Sequence, residues 1–155
     1  MLHTREEVIE RTKREYELLD KLVEVLRDED WRLLVPRSEG KDPWTVKDTL
    51  AHITYWKADV VRSIHGQRRP AEQQGLPEKE GNHLIYVSWH DRPPREVLDW
   101  HRQVEDELLQ ALQNAPEKWF SGRERRSEWP YDLDGHSSYH RTRDIERALV
   151  LRENQ

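Results

Sequence analysis

Two histidines four residues apart, His136 and His140, have the type and spacing that most directly point to chemistry. Four helical steps of about 100° bring a side chain back to within about 40° of its start, one turn along. On a helix both imidazoles therefore face one ion, as in other i, i+4 histidine pairs. Asp144 continues the row, four residues beyond His140. It can act as a fourth ligand, as a replacement ligand, or as an acceptor that holds a histidine tautomer. Its plain alternative is an exposed carboxylate paired with Arg141, Arg143 or Arg147. A helical pair needs a third ligand from elsewhere, and the candidate is His52, inside W-T-V-K-D-T-L-A-H-I-T-Y-W. On a helical wheel His52 lies about 120° from the centre of the Val46/Leu50/Ile53 face, with Trp56 between. That is the edge of a buried stripe, where a histidine either faces a cleft or bonds a backbone carbonyl.

The other histidines of the eight have plainer readings. His3, His65, His83 and His90 fall at the terminus, at a helix end or in loops, where solvated or capping roles suffice. His101 sits beside Val97, Val104 and Leu108 and reads as a hydrogen-bonded core histidine. Cysteine is absent, so disulfides, thiolate zinc sites and a cysteine nucleophile are excluded.

Histidine chemistry needs a scaffold, and the composition describes one. The chain has 155 residues, 34% hydrophobic and 37% charged, with 26 basic against 31 acidic side chains. A net charge of −5 is too small to hold the chain open by repulsion, and seven Trp and five Tyr add large buriable surface. One domain over residues 1–155 is expected. The apolar runs are too short to span a membrane. Met1–Glu10 has no apolar core and three Glu, so no signal peptide is read there and a cytoplasmic location is expected. The interspersed charge leaves no footprint for nucleic acid. The six glycines form neither GxGxxG nor GxxxxGK.

Four helical stretches are expected. The first runs from about Thr4 to Asp30, opened by the capping pair Thr4/Glu7 and carrying Val8, Ile9, Tyr16, Leu19, Leu22, Val23 and Leu26 on one face. The second starts at Pro43–Thr45, with Thr45/Asp48 as its cap pair, and stops before Gly66. The third opens at Pro93-Pro94 and ends before Pro116. The fourth runs from Gly135 to about Arg152. Between the second and third lies a polar segment, Gln67 to about Asn82, long for a structureless loop. Asn82–Trp89 reads as a short helix or an apolar loop. Between the third and fourth, Trp119, Phe120, Trp129 and Tyr131 surround Pro130, which forbids a continuous helix. With no alternating strand pattern, the fold is all-α, an up-and-down four-helix bundle with long connecting loops.

Two of these segments resemble the signatures of a known family. Trp44–Trp56 resembles the second-helix signature of the DinB-like superfamily: Trp, a Lys-Asp pair, Leu-Ala-His, then an aromatic. G-H-S-S-Y-H-R-T-R-D-I, residues 135–145, resembles its last-helix signature. D-R-P-P-R-E-V-L-D-W-H-R-Q-V-E is similar to the opening of its third helix, and Asn82 fits as well. The superfamily includes damage-inducible proteins, thiol-dependent enzymes such as maleylpyruvate isomerases, and colibactin self-resistance proteins. The resemblance implies a four-helix bundle holding a divalent metal, typically zinc or nickel, with His52, His136 and His140 as ligands. One branch has a further His where this chain has Asp144, and some members use a carboxylate in the triad. A set of His52, His140 and Asp144 is therefore the alternative.

Such a metal leaves an open position for water or a small thiol. The implied function is hydrolysis, thiol transfer or isomerisation of a small electrophilic substrate by a homodimer. The loops Gln67–Gly81 and Trp119–Tyr131 are placed to line the cleft, Trp56 and Tyr139 to wall it, and Asp144 or Tyr139 to assist proton transfer. The competing function is a non-catalytic bundle that binds a metal or a small molecule, for sequestration or stress protection. A third possibility is a plain helical dimerisation domain with surface histidines.

Overall fold

The hydroxyl of Thr4 accepts the Glu7 N–H at 3.1 Å and opens α1, Arg5–Glu24. The computed structural model describes residues 4–36, 41–121 and 132–153. His3, Trp129 and Tyr131 lie outside the described residues. The first helix was expected to reach Asp30, but it ends at Glu24 and the chain restarts as α2, Asp28–Trp31. The Asp30 carboxylate accepts the Arg27 backbone N–H at 3.0 Å. This local bond competes with helix continuation, as short acidic side chains do.

Thr45 caps α3, Val46–Ile64, in the reciprocal box expected with Asp48. Gly66 follows it at φ 70°, where a glycine costs least. Just before α3, Leu34 and Thr45 form an isolated antiparallel bridge. Val35 N–H bonds Trp44 O, and Val46 N–H bonds Leu33 O. These bonds fix Trp44 at the entrance to α3.

The polar segment after α3 is not structureless. It contains a 3-10 turn at Ala71–Gln73, and α4 spans Glu78–Trp89, starting four residues before Asn82. Only Ile85 of α4 is buried, so its apolar stripe is thin and its polar first turn resembles a loop. Pro94 begins α5, Pro94–Asn114, as expected of proline in a first turn. A short α6, Lys118–Ser121, follows. The last helical run is α7, Asp132–His140, then a π-helical turn Arg141–Glu146, then α8, Arg147–Glu153. Gly135, expected at its start, lies inside α7. Among the described residues there is no named strand, and no helix is long and apolar enough to cross a membrane. The all-α bundle expected from the 3.6-residue period is the architecture observed.

The core falls into two apolar clusters. One gathers Leu19 and Val23 of α1, Leu50 and Ile53 of α3, Val97 of α5, and Ile145 and Ala148. The other gathers Val8 of α1, Val61 of α3, Leu108 and Leu112 of α5, Phe120, and Leu133 of α7. Burying each such side chain contributes about 1.5–3 kcal/mol. Read along the chain, α1 and the α7–α8 run pass from the second cluster to the first. In contrast, α3 and α5 pass from the first to the second. Helix direction is something a hydrophobic period does not carry. The up-and-down order expected for the four long helices therefore does not hold: α3 and α5 run the same way, because the connection holding α4 returns the chain between them. Ladders of contacts agree: Arg5 reaches Leu112 O while His101 meets Asp20, and Arg11 pairs with Asp134 while Glu15 meets Ser137 and Arg141.

Between the two clusters lies a polar layer. Thr12 and Glu15 of α1, Lys57 of α3, His101 and Glu105 of α5 and Ser137 of α7 are all buried there. Its members are paired, as buried polar groups must be. Lys57 Nζ lies 3.1 Å from Glu105 Oε2, Ser137 donates to Glu15, and His101 Nε2 lies 3.2 Å from Asp20 Oδ1. The candidate site stands at this level of the bundle.

Candidate metal centre

His52 reaches this level from the middle of α3, and His136 and His140 reach it from α7, one turn apart. Each offers a ring nitrogen, and the three nitrogens all lie within 4.8 Å of one another. His52 and His140 are buried, at 4% and 5% exposure, and His136 is half-buried. The His52 and His136 Nε2 atoms are 3.2 Å apart. Two ligands about 2.05 Å from one zinc-like ion at a tetrahedral angle are about 3.3 Å apart. The ring centroids of His140 lie 4.7 Å from those of both other histidines, with its plane turned across them. Three imidazoles converging from two helices have the donor chemistry and the spacing for one divalent ion, so the residues present fit the group.

Charge favours the same use. Burial, followed by the His140 and Lys57 charges, pushes His136 down to about 3. At neutral pH it is a neutral imidazole with a lone pair to offer, the form a metal requires. Two tryptophans flank the rings. Trp44, held by the bridge before α3, lies 4.6 Å from His52 and 6.3 Å from His140, centroid to centroid. Trp56, one turn after His52, stands edge-on to His52 at 6.2 Å and to His136 at 6.3 Å. Trp56 was expected as a wall. Trp44 lies two residues before the helix, so helical periodicity does not show that it folds back over the rings. Tyr139, 48% exposed, stands 5.2 Å from the His140 ring on the outer side.

Asp144 is not one of the three converging nitrogens' partners in the centre. It is fully buried, and its Oδ2 lies 2.8 Å from His140 Nδ1. Of the readings open from sequence, the geometry matches an acceptor behind His140, whereas His136 is the group that meets His52. Burial would raise the Asp144 carboxyl, but the hydrogen bonds from His140 and Arg143 and the Arg143 charge outweigh it and leave it lowered.

The other histidines are engaged elsewhere. His101 is the core histidine expected, bonded to Asp20. His65 caps the end of α3. His83 lies within α4 rather than a loop, 2.9 Å from Asp42, and His90, at the end of α4, lies 2.9 Å from Asp48. The segment after α3 is fastened beside the site. Arg69 grips Asp59 through two nitrogens at 2.9 and 2.8 Å and lies over the Trp56 ring at 5.2 Å. Sequence reading missed this clamp, because nothing local marks Arg69 among its polar neighbours. It also missed the buried Lys57–Glu105 pair, whose partners are 48 residues apart.

Comparison with known proteins follows the same lines. A crystal structure of an uncharacterised protein from Escherichia coli UTI89 superposes with a TM-score of 0.77, covering 97% of this chain and 95% of that one. At 12% identity the likeness is one of fold. No curated protein matches the chain. The family model described as the mycothiol maleylpyruvate isomerase N-terminal domain matches residues 12–133, a stretch that contains His52 and ends just before His136. With more than half its length matched, the chain belongs to the mycothiol maleylpyruvate isomerase N-terminal domain family, within the DinB-like superfamily.

Proposed function

We propose that the protein is a metal-dependent enzyme acting on a small electrophilic molecule, with His52, His136 and His140 as ligands of one divalent ion. The observation that carries this reading is the convergence of the three ring nitrogens within 4.8 Å. Imidazole donors suit zinc or nickel. An ion bound there supplies an acidified water, or a bound thiolate from a small thiol, as the nucleophile. The chain has no cysteine of its own, so a thiol comes with the substrate pair.

The side chains around the triad have distinct tasks in this reading. His52 and His140 are buried and hold their rings against fixed helices, so the donor positions exist before anything binds. Trp44 and Trp56 keep water from two flanks of the rings. Tyr139, on the exposed side of His140, offers a hydroxyl and an aromatic face to a small substrate. Hydrolysis, thiol transfer and isomerisation are all compatible with this environment.

In this reading residues 1–155 form one functional unit, working as a homodimer in the cytoplasm. Exposed apolar side chains on α1 (Leu18), just past its end (Val25) and on α8 (Val150, Leu151) supply surface for self-association. Sedimentation as a monomer at micromolar concentration would remove the dimer from the proposal.

Metal analysis of the purified protein, joined to a screen of small thiols with electrophilic substrates, tests the function. One equivalent of zinc or nickel, lost in His52→Ala, together with turnover is the expected result. Stoichiometric metal without turnover would instead favour a binding protein. A wild-type protein that takes up no divalent metal would overturn the reading.

A further inference from the structure

A row of side chains on the last helical run ties the His triad to the protein surface. His140 Nδ1 meets Asp144 Oδ2 at 2.8 Å. Arg143 then grips the same carboxylate with two nitrogens, Nε to Oδ1 at 2.7 Å and Nη2 to Oδ2 at 3.0 Å. Its remaining nitrogen, Nη1, donates to the Tyr139 hydroxyl, and its guanidinium lies over the Tyr139 ring at 4.4 Å from the centroid. Asp144 has no exposure at all, whereas Arg143 is partly exposed and Tyr139 is half open to solvent. All four residues fall on α7 and the π-helical turn that follows it.

We propose that Arg143 is a positioning residue for the triad, acting through Asp144 to fix His140 as its Nδ1–H tautomer and so turn Nε2 toward His52 and His136. The inference rests on the metal-site reading above. A carboxylate only accepts hydrogen bonds, so the His140 nitrogen facing it carries the hydrogen and the other carries the lone pair. One hydrogen bond from His140 leaves the carboxylate free to swing about its own axis. The guanidinium fork removes that freedom, because two parallel N–H bonds define the carboxylate plane. Lysine has the charge but not the fork. Tyr139 in turn holds the guanidinium from the outside.

A neighbouring Arg–Asp pair on a helix is ordinarily a solvated ion pair of little consequence. Two features separate this one. Its carboxylate is wholly buried, and it shares one oxygen, Oδ2, between the arginine and a histidine of the triad. The π turn belongs to the same arrangement: a locally widened helix is frequent at functional sites, and here it covers both Arg143 and Asp144 while His140 stands at its start.

The test uses metal-free, ¹⁵N-histidine-labelled full-length protein and reads the His140 tautomer by long-range ¹H–¹⁵N correlation. A zinc titration against a competing chelator and a urea midpoint accompany it. The wild type is expected to show His140 protonated at Nδ1. In Arg143→Gln, and in Arg143→Lys, which keeps the charge, the tautomers should mix and zinc affinity should fall about tenfold. The urea midpoint should stay near that of the wild type in Arg143→Lys and fall in Arg143→Gln, which leaves the buried Asp144 carboxylate without its cation. Asp144→Ala should lose both readouts more completely. A wild type protonated at Nε2, or Arg143 variants with unchanged tautomer and unchanged affinity, would overturn the proposal. If the wild type takes up no zinc but its Nδ1–H tautomer is lost in Arg143→Gln, positioning by Arg143 stands and the metal reading alone fails.

Discussion

His52 Nε2 on α3 and His136 Nε2 on α7 lie 3.2 Å apart, although 84 residues separate them in sequence. Neither helix can bring two nitrogens so close by local geometry; the packing of the bundle does it. Removing either ring should therefore remove metal binding without unfolding the protein. His52→Ala and His136→Ala are expected to bind zinc at least about a hundredfold more weakly, since each deletes one of three ligands. Added zinc should raise the wild-type melting temperature and leave both variants unmoved, because only a ligand bound to the native state stabilises it. Calorimetric titration and thermal melts check this, and equal affinity in either variant would remove that histidine from the site.

His101 gives the protein a pH-dependent stability that can be read apart from the site. Burial, followed by the Lys57 charge, pushes it down to about 4 despite Asp20 beside it. In the unfolded chain an ordinary histidine titrates near 6.5. Between these values the unfolded state takes up a proton that the native state refuses. Stability should therefore fall as pH drops from about 6.5 toward about 4, and this contribution should level off below that. Carboxylates titrate in the same range, so the quantity to measure is the difference between the wild type and His101→Gln. Urea midpoints at pH 7.5, 6 and 5 should fall less steeply in the variant, by up to about 1.4 kcal/mol per pH unit. Parallel curves would show that His101 is not the group responsible.

The sequence made the triad legible because two of its members share one helix turn and the third sits in a motif long enough to be specific. His136/His140 spacing placed two rings together, and His52 stood at the edge of an apolar stripe. Thr45/Asp48 and Pro94 likewise marked where α3 and α5 begin, since caps and first-turn prolines act through local bonds. What was not legible is long-range or weakly amphipathic. Helix α4 hides its first turn because only Ile85 is buried. The apolar spacing of the first helix runs past Glu24 to Leu26 and so points on to Asp30, while the bond that restarts the chain at Asp28 is a single side-chain contact. The shared direction of α3 and α5 and the polar layer between the two apolar clusters depend on which helices meet, a property of the packed chain.

Arg69 should hold the segment after α3 against the site wall. It is fastened to Asp59 by two bonds and lies over Trp56, while Gln74 donates to the Arg69 carbonyl oxygen. The arginine is partly exposed, so its loss should cost less than about 1 kcal/mol of global stability. The local effect should be larger. In Arg69→Ala, backbone amides between Gln67 and Pro77 should exchange with solvent faster than in the wild type, with those of α3 unchanged. Hydrogen-exchange mass spectrometry reads both segments at once. Equal protection of the 67–77 segment in the two proteins would show that something other than Arg69 holds it.

The Lys57–Glu105 pair is the most heavily buried charge pair in the polar layer, with both side chains almost free of solvent. Its geometry is good on one side only. Lys57 meets Oε2 at 3.1 Å, while Oε1 is buried with no hydrogen-bond partner among the described residues. Burial accordingly raises the Glu105 carboxyl, though Lys57 opposes the shift. Desolvating two charges is expensive, and an incompletely satisfied pair recovers less of that cost. Removing one partner should be far worse than removing both. Lys57→Met is expected to lose about 3–5 kcal/mol, because it leaves a carboxylate buried without its cation. Adding Glu105→Leu should return most of that loss, and the double variant should lie near the wild type or above it. Urea denaturation of the wild type, both single variants and the double variant closes the cycle. A double variant no more stable than Lys57→Met would mean that the pair contributes through its wider surroundings, with Tyr16 and His101 the first neighbours to examine.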